Sequence, residues 1–139
     1  MKTILVINGP NLNMLGRRPK EHYGSKTLDE INKMIADYDK SINFSFFQSN
    51  HEGAIIDRIQ ANDYDALIIN PGAYTHTSVA IHDALEIVAV PKVEVHLSDV
   101  FNREDFRKID FVKDVCDITI TNLKEQGYIE AVKYLQKLI

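Results

Sequence analysis

Residues Ala66–Ser78 read ALIINPGAYTHTS. Ala66-Leu67-Ile68-Ile69 is a continuous apolar run leading into Asn70, with Tyr64-Asp65 before it and Pro71-Gly72 after it. A run of that length, rich in β-branched residues and closed by turn residues, reads as a strand buried on both faces. Polar residues then arrive together at its carboxyl end: Asn70, Tyr74, Thr75, His76, Thr77 and Ser78. In open α/β sheets, ligands bind beyond the carboxyl ends of the strands. The other strands repeat the pattern, so this one is expected near the middle of a sheet, and its polar loop is where a site is expected.

Outward from that stretch, four more strand candidates alternate with helical patterns. They are Thr3–Ile7, Ile42–Phe47, Val90–Val95 and Val115–Thr121. Thr27 followed three residues later by Glu30 forms a capping box that opens a helix, with Leu28, Ile31, Ile35 and Tyr38 along one face and Met34 beside them. Further helices are expected over Glu52–Ala61, about Thr77–Val88 and from about Gln126 to the C-terminus, the last with Ile129, Val132, Leu135 and Leu138 inward. A short helical piece is expected over Arg103–Lys108. Strands alternating with helices through the whole length imply a parallel sheet covered on both faces by right-handed crossovers. Five such units fit an α/β, flavodoxin-like three-layer sandwich with strand order 2-1-3-4-5.

The chain has 139 residues, enough for one domain with a sizeable core. Without repeats, low-complexity tracts or linkers, residues 1–139 are expected to form a single domain. No apolar run approaches a membrane span, and the run Ile4–Ile7 is too short for a signal-peptide core. The one cysteine, Cys116, excludes an intrachain disulfide and fits a cytoplasmic setting. A net charge of −4 argues against nucleic acid as a partner. Basic residues nevertheless cluster at Arg17-Arg18, Lys20 and Arg103–Lys108, which suffices for a small anionic ligand.

Three strand ends carry the candidate chemistry: Asn8-Gly9-Pro10-Asn11-Leu12-Asn13, Asn70-Pro71-Gly72 with His76 behind it, and Glu94-Val95-His96-Leu97-Ser98. Taken singly, the Asn-Gly-Pro and Asn-Pro-Gly pieces are turn chemistry, and Thr75 or His76 could simply cap the following helix. Recurrence at three strand ends on one edge of the sheet makes a convergent site the stronger reading. The loop after the first strand has neither G-x-G-x-x-G nor G-K-[ST], so no nucleotide loop is supported. The histidines, at 22, 51, 76, 82 and 96, lack the H-x-x-x-H or H-E-x-x-H spacing of a metal site. No cofactor or metal is therefore expected.

The segments GPNLNMLGRR, HYG, INPGAYTHTSVAI, EVHLSDV and REDFR together resemble the type II 3-dehydroquinate dehydratases of the shikimate pathway, from Ile4 to about Tyr128. That resemblance implies a flavodoxin-like, cofactor-independent lyase that removes water from 3-dehydroquinate with anti geometry through an enolate. It implies Tyr23 as the base on a lid loop, Arg18 as its partner, and Asn11 as the group orienting the tyrosine and a water. It further implies His96 as the proton donor paired with Glu94. Asn70 with the backbone amides of Leu97 and Ser98 would bind carboxylate and enolate, and His76 and Arg107 the substrate hydroxyls. Asp83 would reach in from a neighbouring subunit of a homo-oligomer, a dodecamer built of trimers. The chain departs from the family pattern in its Pro19-Lys20 order, in Asp99 for a common Asn, and in Ile118, Asn122 and Lys124 where glycines are usual.

The chemistry asks for these residue types in its own right. A proton α to a ketone needs a base and a stabilised enolate. A tyrosine serving near neutrality must come down by about 2–3 units, roughly 3–4 kcal/mol, and an arginine at about 4 Å in an effective dielectric near 20 supplies about 4 kcal/mol. From the residues alone Tyr74 rivals Tyr23 for this role. The departing hydroxyl needs an acid, and Glu94 is expected to hold a proton on His96 near neutrality. Two rival readings remain beside the dehydratase: a related lyase or hydratase acting on another cyclic hydroxy acid, and a non-catalytic binding or regulatory descendant of the fold.

Overall fold

Alternating apolar residues on the strands face opposite sides of one sheet, and this divides the interior into two cores. A computed structural model describes residues 1–139. The strands are β1 (Thr3–Asn8), β2 (Asn43–Gln48), β3 (Ala66–Asn70), β4 (Lys92–Val95) and β5 (Ile118–Ile120). All pair in parallel, in the order β2-β1-β3-β4-β5, as the strand count implied.

The helices are α1 (Lys20–Tyr23), α2 (Leu28–Tyr38), α3 (Glu52–Gln60), α4 (Val79–Ile87) and α5 (Gln126–Gln136). Ile4, Val6, Ile68, Val93 and Val95 pack with Ile31 and Ile35 of α2 and with Ile129, Val132 and Leu135 of α5. Leu5, Ile7, Leu67 and Ile69 pack on the other face with Ile55, Ile59, Ile81 and Leu85 of α3 and α4. The capping box at Thr27 forms, with Glu30 N–H donating to Thr27 Oγ1 and Thr27 N–H to Glu30 Oε1.

Several boundaries differ from the sequence expectation. β4 begins at Lys92, because Pro91 has no N–H for the ladder. β5 is shortened by a 3-10 turn over Lys113–Val115. The helix expected from Thr77 starts at Val79, and its cap is Ser78, whose Oγ accepts from Ile81 N–H at 2.9 Å. Neither Thr75 nor His76 caps it; both belong to a 3-10 turn, Gly72–His76. Tyr38 and Leu138 are exposed: Tyr38 lies in a shallow groove with Met34, Ile129 and Lys133, and Leu138 falls past the end of α5.

Two glycines let the loops after β1 and β3 cross. A Cβ on Gly9 would sit 2.4 Å from Pro71 O, and Gly72, at φ 61°, would place one 2.9 Å from Pro10 O. Contact of these loops brings two of the candidate strand ends together. The missing strand-five glycines leave the backbone they would have adopted: Asn122 and Lys124 are left-handed, at φ 65° and 51°. That conformation turns the chain so that Asn122 N–H donates to Ser98 O and Lys124 N–H to Leu97 O, both at 3.0 Å.

Candidate active site

The carboxyl ends of β1, β3 and β4 close around a cavity of about 100 Å³. Asn70 reaches it from the end of β3, where its side chain is fixed from two sides. Its Nδ2 donates to Tyr128 Oη at 3.2 Å, and its Oδ1 accepts from Gly72 N–H at 3.1 Å. Tyr128 Oη in turn donates to Asn8 Oδ1, so a fully buried phenol ties together the register partners Asn8 and Asn70. The backbone N–H groups of Leu97 and Ser98, just past β4, donate to no protein acceptor and lie at the cavity wall.

Tyr23 enters from the loop between β1 and α2. The single turn of α1, begun by Pro19 and ended by Gly24 at φ 76°, swings its ring inward, where it is 7% exposed. Arg18 Nη2 and Arg103 Nη1 each donate to Tyr23 Oη at 2.6 Å. The Arg18 guanidinium also lies over the phenol ring, 3.7 Å from its centroid. Two guanidinium donors thus converge on one phenol oxygen. Burial holds Arg18 below its usual pKa, and the neighbouring charges of Arg103 and Arg107 add to the effect. Tyr74, the rival base, lies elsewhere, with its hydroxyl donated to Asn50 O at 2.9 Å.

On the opposite wall, His96 Nε2 and Glu94 Oε2 are 2.5 Å apart, both buried. Thr119 on β5 donates to Glu94 Oε1 at 3.0 Å. Burial raises the Glu94 carboxyl and pushes His96 down to about 4. Burial thus works against the proton that Glu94 is expected to hold on His96 near neutrality. His76 lines the cavity with Nδ1 placed 2.6 Å from Ile109 O, so that Nδ1–H donates to the carbonyl, and burial lowers its pKa.

Asn11, Arg18, Tyr23, Asn70, His76, His96, Leu97, Ser98 and Arg107 therefore meet at one cavity, with Glu94 directly behind His96. Asn11 makes no hydrogen bond to Tyr23; its backbone N–H donates to Asn50 Oδ1 at 3.0 Å. Asp83 stands apart on the exposed side of α4, bonded to His82. Sequence reasoning missed Arg103 as a second donor to Tyr23. It also missed Tyr128 and Asp110, the latter with a ligand-type atom within 4.8 Å of those of Glu94 and His96. Glu94 already gives one oxygen to His96 and the other to Thr119, while Asp110 Oδ1 accepts from the Val112 and Lys113 N–H groups. A larger recess of about 670 Å³ opens beside Asn13, Met14, Arg17 and Phe46. It gathers no histidine, tyrosine or glutamate, so its size does not make it the site.

A family model described as Dehydroquinase class II matches residues 2–136. The chain belongs to the class II dehydroquinase family. A 3-dehydroquinate dehydratase of Thermotoga neapolitana is 53% identical over 137 residues, covering 97% of this chain and 94% of its own. One from Fusobacterium nucleatum is 53% identical over 139 residues, covering 95% of each. The crystal structure of a type II dehydroquinase from Butyrivibrio crossotus superposes with a TM-score of 0.94 at 50% identity, over 97% of both chains. The flavodoxin-like class II architecture is thus shared over essentially the whole chain.

Proposed function

We propose that this class II dehydroquinase converts 3-dehydroquinate to 3-dehydroshikimate by anti elimination of water through an enolate. The observation that carries the reading is Tyr23 Oη held by Arg18 and Arg103 at 2.6 Å each, in the same cavity as His96. A phenolate stabilised by two guanidinium groups is a base that can take the proton α to the ketone. Negative charge then develops on the carbonyl oxygen, where Asn70 and the free amides of Leu97 and Ser98 supply oriented donors. His96 delivers a proton to the departing hydroxyl, with Glu94 behind it. His76 and Arg107 hold the remaining hydroxyls, and Asn11 positions Tyr23 and a water. In this reading side chains and the two backbone amides carry each step, and the reaction proceeds without a cofactor.

A binding-only descendant of the fold would have no use for a buried tyrosine bracketed by two arginines, since binding alone needs no base. The deciding experiment is incubation with 3-dehydroquinate in the presence of chelator, following the absorbance of the conjugated enone. Absence of turnover would overturn the assignment.

The assembly we propose is a homo-oligomer of trimers, most simply a dodecamer, in the cytoplasm. Asp83 supports it: its side chain sits on the exposed side of α4 and does not line its own chain's cavity, so it is placed where another copy can reach it. Val79 and Ile87 on the same helix are 53% and 73% exposed and offer apolar area for that contact. Light scattering should report the oligomer at assay concentration, and a fully active monomer would refute it.

A further inference from the structure

Asp110 has no part in the reaction described above, yet it is built into the wall behind His96. Its Oδ1 accepts from Val112 N–H at 2.8 Å and Lys113 N–H at 3.0 Å. Its Oδ2 is buried and has no hydrogen-bond partner. On either side of it the chain is pinned to the site: Ile109 O receives His76 Nδ1–H, and Phe111 N–H donates to Thr75 O at 2.9 Å. Asp110, Glu94 and His96 bring one polar atom each within 4.8 Å of one another. Two carboxyl groups so close in a buried site cannot both be ionised without large cost; one proton between them removes it.

We infer that Asp110 is a positioning residue for the acid step: with Glu94 it holds one shared proton behind His96, which fixes the imidazole with its hydrogen on Nδ1. This rests on the dehydratase reading of the site. Nε2 faces Glu94 Oε2. When Glu94 carries the proton, it donates to Nε2, and Nδ1–H is left for the cavity. The leaving hydroxide takes the Nδ1 proton and departs as water. The Glu94 proton moves to Nε2, and the negative charge left behind is shared between the Glu94 and Asp110 carboxyls. Tyr23, which has gained the α proton, returns one to solvent, and the carboxyl pair takes one up. A neutral imidazole thereby serves as an acid without the cost of a buried imidazolium.

The surroundings agree. Burial, followed by the facing Glu94, raises the Asp110 carboxyl to about 7, and burial raises Glu94. Other charged or titratable groups facing the pair are few. His96 and His76 lie on the cavity side, with Arg107 beyond His76. Lys113 follows Asp110 in the chain. Cys116, with Lys92 and Asp117 near it, has its thiol pushed well up by burial.

Asp110→Asn tests the inference, because an amide oxygen still accepts from Val112 and Lys113 while the acidic proton position is lost. In the parent protein, ¹⁵N shifts of His96 should report hydrogen on Nδ1 near neutral pH. In Asp110→Asn, Glu94 ionises and the hydrogen should move to Nε2. The same variant should show kcat at pH 8 about tenfold below the parent, against the ~10²–10⁴ that a general acid supplies. Its deficit should shrink toward lower pH, where Glu94 regains its proton. An unchanged His96 tautomer together with a superimposable pH profile would overturn the inference. A parent without turnover would instead overturn the dehydratase reading, and the tautomer comparison would still decide this one. Should Asp110→Asn fail to fold by circular dichroism, Asp110→Ser, whose hydroxyl can accept from the same N–H groups, carries the same comparison.

Discussion

Replacing Arg103 with methionine keeps most of its apolar stem and removes one of the two guanidinium groups on Tyr23 Oη. The donor lies 2.6 Å from the oxygen. With charge centres about 4 Å apart and an effective dielectric near 20, the attraction to a phenolate is about 4 kcal/mol; measured net values for hydrogen bonds to charged groups are about 1.5–3 kcal/mol. Arg18 remains on the same oxygen and is relieved of a like charge, since Arg103 counts among the groups that lower it. The lower end of the range therefore applies, and a loss of about 2 kcal/mol corresponds to roughly thirtyfold in kcat. Steady-state kcat and KM across pH, with Tyr23→Phe as the floor and thermal melts to confirm folding, make the assay. An Arg103→Met enzyme with parental kcat at every pH and only a raised KM would show that Arg103 binds substrate and does not tune the base.

His96→Ala should collapse kcat, whereas His22→Ala and His51→Ala, whose side chains do not line the cavity, should stay within a few-fold of the parent in the same assay. Gly9→Ala forces a methyl against Pro71 O and should cost about 1–3 kcal/mol in chemical denaturation, with lower kcat because the crossing loops carry Asn70 and Asn11. Lys124→Gly removes a left-handed lysine and should stabilise by about 1 kcal/mol, read as a rise in Tm; a drop would mean that the lysine side chain against Gly24 matters more than its backbone. Pro19→Glu with Lys20→Pro restores the common family order, and because Lys20 is the first residue of α1, where proline is tolerated, kcat should change by less than about threefold, well under 1 kcal/mol of barrier.

The alternation of buried strands with amphipathic helices was readable directly, since both periods are local. Leu5 and Val6 alternate between two cores whatever lies around them, and Thr27 with Glu30 makes its capping box from four consecutive residues. The polar strand ends were legible for the same reason: Asn70 closes β3 and His96 directly follows β4, while Glu94 lies within β4 itself. Boundaries were less so. Ser78 displaced Thr75 and His76 as the cap because Oγ of Ser78 also donates to Glu52 on a neighbouring helix at 2.5 Å, a partner that the stretch itself does not name.

What the sequence by itself determined is the parallel α/β order, the strand ends where chemistry collects, and, through its segments, the family. What tertiary structure alone decided is which groups act on which. Tyr23 and Tyr74 are equivalent phenols on paper, but crossing loops bring Arg18 and Arg103, 80 residues apart from Tyr23 in the second case, onto one oxygen and send the other phenol to Asn50. The protonation of His96 was equally out of reach, because burial and a carboxyl pair formed by Glu94 and Asp110 set it. Local periodicity encodes which side of a sheet a residue faces; charge depends on what the folded chain places within a few ångströms and on how much water it removes.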